Sequence, residues 1–325
     1  ASVSPPLATN REASLLDLGD GVFCLEFHSK MNSIGPDLLE MLLQAVRTTE
    51  EQGIALVIGN QGQVFSAGAN LGVLAMALIS KNFDEIDQVV RLFQQASMAL
   101  KYARIPVVAA PFNLALGGAC EFCLHADAIV AHAETYMGLV EVGVGILPAG
   151  GGCKELALRA ILEAERLVAD VSPYLFRSFE NIGMAKVSTS AEELLGLGYL
   201  RHGDSITMNR SRLIGDAKQR ALALAANYRP PIPGADLKAP GHSLAASMDS
   251  RLWNLHQGGF ISEYDRVIGS RIASVLCGGD VAQGTAISEE RFLELEREGF
   301  LSLVGNPETA QRIEHMLKTG KPLRN

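Results

Sequence analysis

The sequence predicts an α/β fold followed by a mainly helical C-terminal region. Short apolar runs of strand character alternate with amphipathic helical segments over the first half of the chain. From about residue 155 onward the helical signal dominates. With 325 residues, of which 48% are hydrophobic and 20% charged, the chain has enough apolar material for a large buried core.

The first half of the chain supplies the α/β elements in order. "SLLDL" and "VFCLEF", joined by "GDG", predict a β-hairpin, because an Asp-Gly pair supplies the positive φ that a tight turn needs. "GPDLLEMLLQAVRTTEEQ" predicts a helix, "IALVIGN" a buried strand, and "FDEIDQVVRLFQQASMALKYA" an amphipathic helix. "IPVVAAPFNLAL" and "DAIVAHA" predict two further strands, separated by "GGACEFCLHA", a loop that leads into a helix.

The second half is read as helical, through "TSAEELLGLG", "SRLIGDAKQRALALAANY" and "SEERFLELEREGFLSL". The Pro-rich stretch "YRPPIPGADLKAPG" separates two parts of this region. The start, "ASVSPPLATNREAS", lacks a hydrophobic signal core, and its Pro, Ser and Asn content suits an interdomain linker. We therefore predict a linker-like tail over residues 1–13, an α/β core over 14–200 and a helical C-terminal region over 201–325.

Charge and hydropathy narrow the classes of partner. A net charge of −8 argues against a sequence-independent nucleic-acid surface, which would need a basic face. The most apolar stretch, "IPVVAAPFNLALGGACEFCL", is interrupted by Pro106, Pro111, Asn113 and Glu121, so we expect no membrane span.

The cysteines indicate a reducing compartment, which we take to be the cytoplasm. Their number is odd and their spacing scattered, which does not suit a disulfide framework; they are Cys24, Cys120, Cys123, Cys153 and Cys277. "CEFC" has metal-like spacing, but no second such pair and no nearby His pair accompanies it. We therefore expect no metal site.

The residues that suggest chemistry lie between positions 59 and 153. The loop "GNQGQVFSAGANL" follows a predicted strand, where a glycine-rich loop can cradle a phosphate, form an oxyanion hole or turn a corner. Glu121 and Glu141 lie in apolar, glycine-rich surroundings, where an ionised carboxylate is costly unless it is paired or functional. Together they suggest an acid and a base that flank a bound substrate.

Three motifs, "VFSAGANL", "IPVVAAPFNLALGGACEFCLHADAIVA" and "MGLVEVGVGILPAGGG", resemble in this order the enoyl-CoA hydratase (crotonase) superfamily, over about residues 14 to 200. The resemblance implies a ClpP/crotonase-like spiral of ββα units. It assigns the backbone amides of Ala69 and Gly118 to an oxyanion hole for the thioester carbonyl. It assigns catalysis to Glu121 and Glu141, which are spaced twenty positions apart as in the family. The glycine-rich loop is then half of an oxyanion hole rather than a phosphate cradle, since no G-K-[ST] follows it.

The resemblance also implies which residues touch the substrate. These are Ala67, Gly68, Leu71 and Gly117 around the two loops, and Lys30 toward the CoA moiety. The sequence departs from the family pattern at Asn70, Ala119 and Val140. None of these changes removes an assigned amide or carboxylate.

The implied activity is reversible syn hydration of trans-2-enoyl-CoA in fatty-acid β-oxidation, with no cofactor and with acyl-CoA as the substrate. Beyond residue 170 the chain more closely resembles the C-terminal hydratase part of bifunctional 3-hydroxyacyl-CoA dehydrogenases. This implies an N-terminal dehydrogenase domain outside the present chain, and NAD would bind there. A homo-oligomer, trimer or dimer, is expected as well.

Two other readings of the function stay open. The chain could catalyse another crotonase-type reaction, such as double-bond isomerisation or thioester hydrolysis, or it could be a non-catalytic acyl-CoA-binding or scaffolding module. A serine peptidase of the ClpP type, which shares the spiral fold, is disfavoured because Ser66 has no recognisable His and Asp partners in the sequence.

Overall fold

The computed structural model describes residues 5–233 and 237–325. Its strands are β1 (Ala8–Thr9), β2 (Ala13–Asp17), β3 (Val22–Phe27), β4 (Ala55–Ile58), β5 (Val107–Ala109), β6 (Asn113–Leu116), β7 (Ala128–His132), β8 (Thr135–Gly138), β9 (Ser205–Thr207), β10 (Leu237–Lys238) and β11 (Ala286–Ile287). Its α-helices are α1 (Pro36–Gln52), α2 (Leu71–Ile79), α3 (Phe83–Lys101), α4 (Gly118–His125), α5 (Gly152–Leu167), α6 (Ser172–Gly183), α7 (Glu193–Leu197), α8 (Leu213–Ala225), α9 (His242–Gln257), α10 (Glu263–Leu276), α11 (Glu289–Val304) and α12 (Pro307–Thr319). Short 3-10 helices cover Lys30–Asn32, Glu141–Val144 and Arg210–Arg212.

The chain divides into two compact units. The first unit comprises the chain up to Asn70, Gln95–Met137 and Val187–Pro233, and the second comprises Leu71–Gln94, Gly138–Lys186 and the chain after Pro233. The predicted division at residues 13 and 200 follows sequence order and stays a prediction. Residues 1–4 of the predicted tail and residues 234–236 of the Pro-rich stretch lie outside the described residues.

A mixed sheet forms the centre of the first unit. Within the described residues its strand order is β1-β2-β3-β4-β5-β7-β9. The predicted hairpin is confirmed, because β2 and β3 pair antiparallel with Leu15 opposite Leu25. From β3 onward the strands run parallel. Every residue of β4 and β5 is buried, as expected for parallel strands covered on both faces.

Two long helices cover this sheet. Helix α1 packs on β2, β3 and β4, and α8 packs on β3, β4, β5 and β7. Helix α8 buries Leu213, Ala217 and Ala221, which recur every four residues and so share one face. The predicted α/β fold with a mainly helical C-terminal region is confirmed.

One predicted strand is wrong in its extent. "IPVVAAPFNLAL" forms two strands, since β5 belongs to the mixed sheet whereas β6 pairs with β8. Pro111 lies between them and has no N–H to donate to a ladder, and Asn113 has a positive φ of 47°. The chain changes direction there, which carries β6 to the start of α4.

The second unit is mainly helical. Helix α10 packs against α5, α6, α9 and α11. Buried charges tie these helices together: the Lys154 ammonium, fully buried, lies 2.7 Å from a Glu289 carboxylate oxygen. The Glu296 carboxylate accepts hydrogen bonds from the backbone N–H groups of Gly151 and Lys154 at the start of α5. Among the helices of the described chain, none combines the length and the apolar character needed to cross a membrane.

Candidate active site

The glycine-rich loop is held between two neighbouring segments of the first unit. On one side, Ser66 donates its N–H to the Leu114 carbonyl (2.9 Å) and accepts from the Leu116 N–H (3.1 Å). On the other side, Ile34 donates to the Gly68 carbonyl (2.8 Å) and accepts from the Asn70 N–H (2.9 Å). These bonds fix the backbone of the loop on both edges, so its remaining polar groups have defined directions.

The direction of the Ala69 N–H follows from these bonds. In a trans peptide the C=O and the N–H point to opposite sides, and no cis peptide occurs within the described residues. The Gly68 carbonyl points to Ile34, so the Ala69 N–H points away from Ile34, toward the edge on which Ser66 pairs with Ala115. Ala69 is exposed to solvent.

The N–H of Gly118, the first residue of α4, also has a defined direction. The Gly117 carbonyl accepts the Glu121 N–H at 3.0 Å and therefore points into the helix. The N–H of Gly118, on the other side of that trans peptide, points out of the helix N-terminus. A helix start carries partial positive charge, which favours a negatively charged oxygen in front of it.

Close backbone packing brings the two segments together. Gly68 has a φ of 92°, and a Cβ added there would lie 2.6 Å from the Leu116 carbonyl oxygen and 3.6 Å from the Gly117 Cα. Both the conformation and the space therefore require glycine at position 68. The amides of Ala69 and Gly118 thus belong to adjoining backbone segments.

Glu121 lies one turn into α4 and is 3% exposed. Its backbone is fixed at both ends, because its N–H donates to the Gly117 carbonyl and its carbonyl lies 2.7 Å from His125 Nδ1. A carboxylate this deeply buried is expensive unless it is paired or functional. The burial of Glu121 fits its apolar, glycine-rich sequence neighbours, and its catalytic role stays a prediction.

Glu141 begins a 3-10 helix in the second unit. This helix ends at Val144 and is closed by Gly145, whose φ of 86° is in the left-handed region. Glu141 is partly buried, and Val142, Gly143 and Val144 are buried. Because Glu121 and Glu141 belong to different units, their action as a pair stays a prediction.

The remaining predicted substrate contacts lie around the loop. Lys30 is exposed at the start of a 3-10 helix, and the next residue, Met31, accepts the Ala67 N–H at 3.1 Å. Leu71 begins α2 and belongs to the second unit.

Two residues that the sequence did not predict support the glycine-rich loop. The Asn60 side chain donates to the Phe65 carbonyl at 2.9 Å and so holds the strand-to-loop turn. Arg210 lies over the Phe112 ring, 3.3 Å from its centroid, and donates to the carbonyls of Asn60 and Gly62. Arg210 and Asn60 are 150 positions apart in the chain, so no local sequence pattern predicts this contact.

The cysteines and acidic residues of the described chain were considered as disulfide partners and metal ligands. All five cysteines are buried, and none of them forms a disulfide in the part of the chain that the structure describes. Burial raises the pKa of the Cys24 and Cys277 thiols to about 12, so they stay protonated at neutral pH. Across residues 5–233 and 237–325, no group of three His, Cys, Asp or Glu side chains could hold a metal ion.

Comparison with known proteins gives a consistent family. Residues 18–169 match the family model described as enoyl-CoA hydratase/isomerase. A probable 3-hydroxyacyl-CoA dehydrogenase of Bacillus subtilis is 45% identical over 320 residues, which cover 98% of this chain and 40% of the relative. A putative fatty acid oxidation complex trifunctional enzyme of Rickettsia felis is 29% identical, over 95% of this chain and 39% of the relative. The chain thus spans about two fifths of the length of these curated relatives.

A solved structure shows the same fold. The crystal structure of an enoyl-CoA hydratase from Bacillus halodurans superimposes with a TM-score of 0.62, at 17% identity, over 93% of this chain and 99% of that one. At this identity the likeness concerns the fold. The predicted crotonase-like fold is confirmed.

Proposed function

This chain belongs to the enoyl-CoA hydratase/isomerase superfamily, and we propose that it catalyses the reversible hydration of trans-2-enoyl-CoA to 3-hydroxyacyl-CoA. One observation carries the proposal. The N–H groups of Ala69 and Gly118 are directed outward from adjoining backbone segments, and the buried Glu121 lies one turn behind Gly118 on the same helix. Two outward amides close to a buried carboxylate support the proposal that a thioester oxygen and an attacking water bind here.

The two amides would bind the thioester oxygen. When water adds to C3, charge moves onto that oxygen as an enolate, and donors fixed in advance stabilise it without reorganisation. Each such donor typically contributes about 3 kcal/mol in the transition state. Gly68 and Gly117 serve this role indirectly, because their lack of side chains lets the substrate and the backbone approach each other.

The two carboxylates would move the protons. Glu121 takes a proton from the water that attacks C3, and Glu141 delivers a proton to C2. In the reverse reaction the roles of acid and base exchange. This division favours a hydratase over an isomerase, because an isomerase moves one proton between two carbons and needs no activated water.

The longer relatives suggest a wider context. Their names include a dehydrogenase and a fatty acid oxidation complex, and this chain matches about two fifths of their length. We propose that the present chain performs the hydration, needs no cofactor for it, and passes 3-hydroxyacyl-CoA to an NAD-dependent dehydrogenase domain. A cytoplasmic homo-oligomer, trimer or dimer, belongs to the same proposal.

A spectrophotometric assay tests the proposal. Crotonyl-CoA and a long-chain trans-2-enoyl-CoA should lose enoyl absorbance when the purified chain is added, and added NAD should give no NADH with 3-hydroxyacyl-CoA. Turnover of a 3-enoyl-CoA without hydration would replace the hydratase by an isomerase, and release of free CoA would replace it by a thioesterase. Acyl-CoA binding without any turnover would indicate a non-catalytic binding module.

A further inference from the structure

We propose that Thr309 and Arg312, on the C-terminal helix α12, are positioning residues that fix the turn carrying Glu141. Tyr264, on α10, acts with them. We call these three residues the C-terminal clamp. The proposal rests on the proposed function for its catalytic consequence, whereas the clamp itself concerns contacts within the second unit.

The turn that carries Glu141 has few hydrogen bonds of its own. Gly143 donates to Val140 (2.9 Å), Gly145 donates to Val142 (3.0 Å), and Ile146 donates to the Glu141 carbonyl (3.3 Å). A single 3-10 turn has poorer hydrogen-bond geometry than an α-helix. The position of Glu141 therefore depends on what holds the carbonyls of the turn from outside.

The Thr309 hydroxyl holds the Gly145 carbonyl, and the Tyr264 hydroxyl holds Thr309 in turn. Thr309 Oγ1 lies 2.7 Å from the Gly145 oxygen, and the Tyr264 hydroxyl lies 2.5 Å from Thr309 Oγ1. The Leu303 carbonyl is also near both hydroxyls, but the Asn306 backbone and side-chain N–H groups already donate to it. Since Thr309 has a single hydroxyl hydrogen, its donation to Gly145 leaves Tyr264 as the donor to Thr309, and the shortest distances favour this relay.

Arg312 holds the middle of the same turn. It is fully buried, and its Nη1 donates to the Val142 carbonyl at 3.0 Å and to Asp265 Oδ1 at 2.9 Å. Its guanidinium also lies 5.2 Å from the centroid of the Tyr264 ring, and its Nε donates to Asn325 Oδ1 at 2.7 Å. A buried guanidinium with charged and neutral partners has one favourable position, so it is a rigid anchor.

The clamp and the turn are in close contact. A Cβ added to Gly145 would lie 2.8 Å from both Thr309 Cα and Thr309 Oγ1. Gly145 is thus needed for its positive φ and for the approach of α12. A loss of this contact would let the turn move, and a displacement of about 1 Å at a catalytic group can cost about a hundredfold in rate.

The variant that tests the clamp is Thr309→Val, which keeps the volume and removes the hydroxyl. We expect kcat for hydration to fall about tenfold with KM little changed, because the loss acts through Glu141 and not through substrate binding. Thr309→Ser should restore most of the rate. Thr319→Val is the matched control, since Thr319 lies on the same helix but is exposed, and it should leave the rate unchanged.

A double variant separates positioning from general damage. In the Glu141→Gln background, Thr309→Val should cause no further loss, because the group that it positions is already disabled. A further tenfold loss there, or a wild-type rate for Thr309→Val in an active enzyme, would overturn the positioning role.

Amide hydrogen exchange reports on the clamp without depending on the reaction. Peptides that cover residues 140–147 should exchange faster in Thr309→Val than in wild type or Thr319→Val. Unchanged exchange would overturn the clamp. If exchange were faster in Thr309→Val but the wild-type chain did not catalyse hydration, the clamp would be supported. The proposed function, and the catalytic role of the clamp that depends on it, would then be wrong.

Discussion

The two candidate carboxylates are held in different ways. Glu121 lies in a helix of the first unit whose start is fixed by segments that belong to the same sequence motifs. Glu141 lies on a single 3-10 turn of the second unit, and its turn is fixed by Arg312 and Thr309, which are 170 and 164 positions away from the carbonyls that they hold.

This difference shows which parts of a site can be moved by remote changes. A helix such as α4 carries its own hydrogen bonds, so its first turn is stable once the helix packs. A lone 3-10 turn depends on external donors. We therefore expect the position of Glu121 to respond mainly to local substitutions, and the position of Glu141 to respond also to substitutions in α10 and α12.

The largest expected effect comes from removing either carboxylate. Glu121→Gln and Glu141→Gln keep the side-chain shape but abolish proton transfer, so hydration should fall by about 10² to 10⁴ with little change in acyl-CoA affinity. If the two act as a unit, the double variant should be scarcely worse than the poorer single variant. Steady-state kinetics with crotonyl-CoA measures all three.

Glu40→Gln, an exposed change on α1, is the matched control and should have no effect. A Glu141→Gln enzyme with near-normal hydration beside an inactive Glu121→Gln enzyme would contradict the two-carboxylate mechanism. Glu121 alone would then be catalytic, and a reaction that uses one acid would become the better proposal.

A second substitution tests the proposed oxyanion hole next to Glu121 and leaves the Glu141 turn unchanged. Gly118→Pro deletes the N–H that points out of α4, and turnover should fall about a hundredfold or more. Gly118 is the first residue of the helix, where proline is well tolerated, so the variant should fold. Circular dichroism and thermal unfolding check the fold, and a wild-type rate in a folded variant would remove Gly118 from the oxyanion hole.

A third substitution removes a partner of Arg312, which holds the turn that carries Glu141. Asp265→Asn leaves the buried Arg312 guanidinium without its carboxylate partner, which should lower the free energy of unfolding by about 3 to 5 kcal/mol at neutral pH. Denaturant unfolding measures this change. Asp280→Asn, at a fully exposed carboxylate of the same unit, is the control and should leave stability unchanged.

The pH dependence of that loss has a definite sign. Burial alone would raise the pKa of Asp265, but the hydrogen bond from the Ser262 N–H and the nearby Arg324 and Arg312 outweigh it, so the pKa lies below its ordinary value. The stabilisation is therefore fully present above the unfolded-state pKa of about 3.9 and is lost as the pH falls through the folded-state pKa. The difference in stability between wild type and Asp265→Asn should shrink in that acidic range. A difference that stays constant with pH would contradict the assignment.

The fold could be predicted wherever the signal is local. The hairpin, α1, β4, α3 and α4 follow from turn chemistry and hydrophobic periodicity and were predicted close to their observed bounds. Helix α2 was not, because "LGVLAMALI" has no polar residue and so shows no amphipathic period. The division of "IPVVAAPFNLAL" was missed because a continuous apolar run conceals where a strand changes sheets.

For the candidate site residues, too, only those with local sequence signals could be predicted. Gly118 and Glu121 could be proposed from the sequence because Gly117, whose carbonyl accepts the Glu121 N–H, lies in the same motif. Thr309, Tyr264 and Arg312 could not, since their contacts with the Glu141 turn depend on the tertiary packing of α10 and α12. A buried Arg or Thr on a C-terminal helix has no distinguishing pattern in the sequence.

The smallest expected effect concerns Lys30, which is next to Met31, a neighbour of the glycine-rich loop. Lys30 is exposed, and its neighbour Met31 contacts the Ala67 N–H of the loop. If its ammonium attracts the phosphates of CoA, Lys30→Ala should raise KM by less than about fivefold with kcat unchanged, because exposed ion pairs are weak. The effect should vanish at high salt, where such charges are screened. Lys238→Ala, exposed in the second unit, is the matched control. An unchanged KM at low salt would make Lys30 a solvated surface lysine, whereas a fall in kcat would mean that the substitution displaces the loop itself.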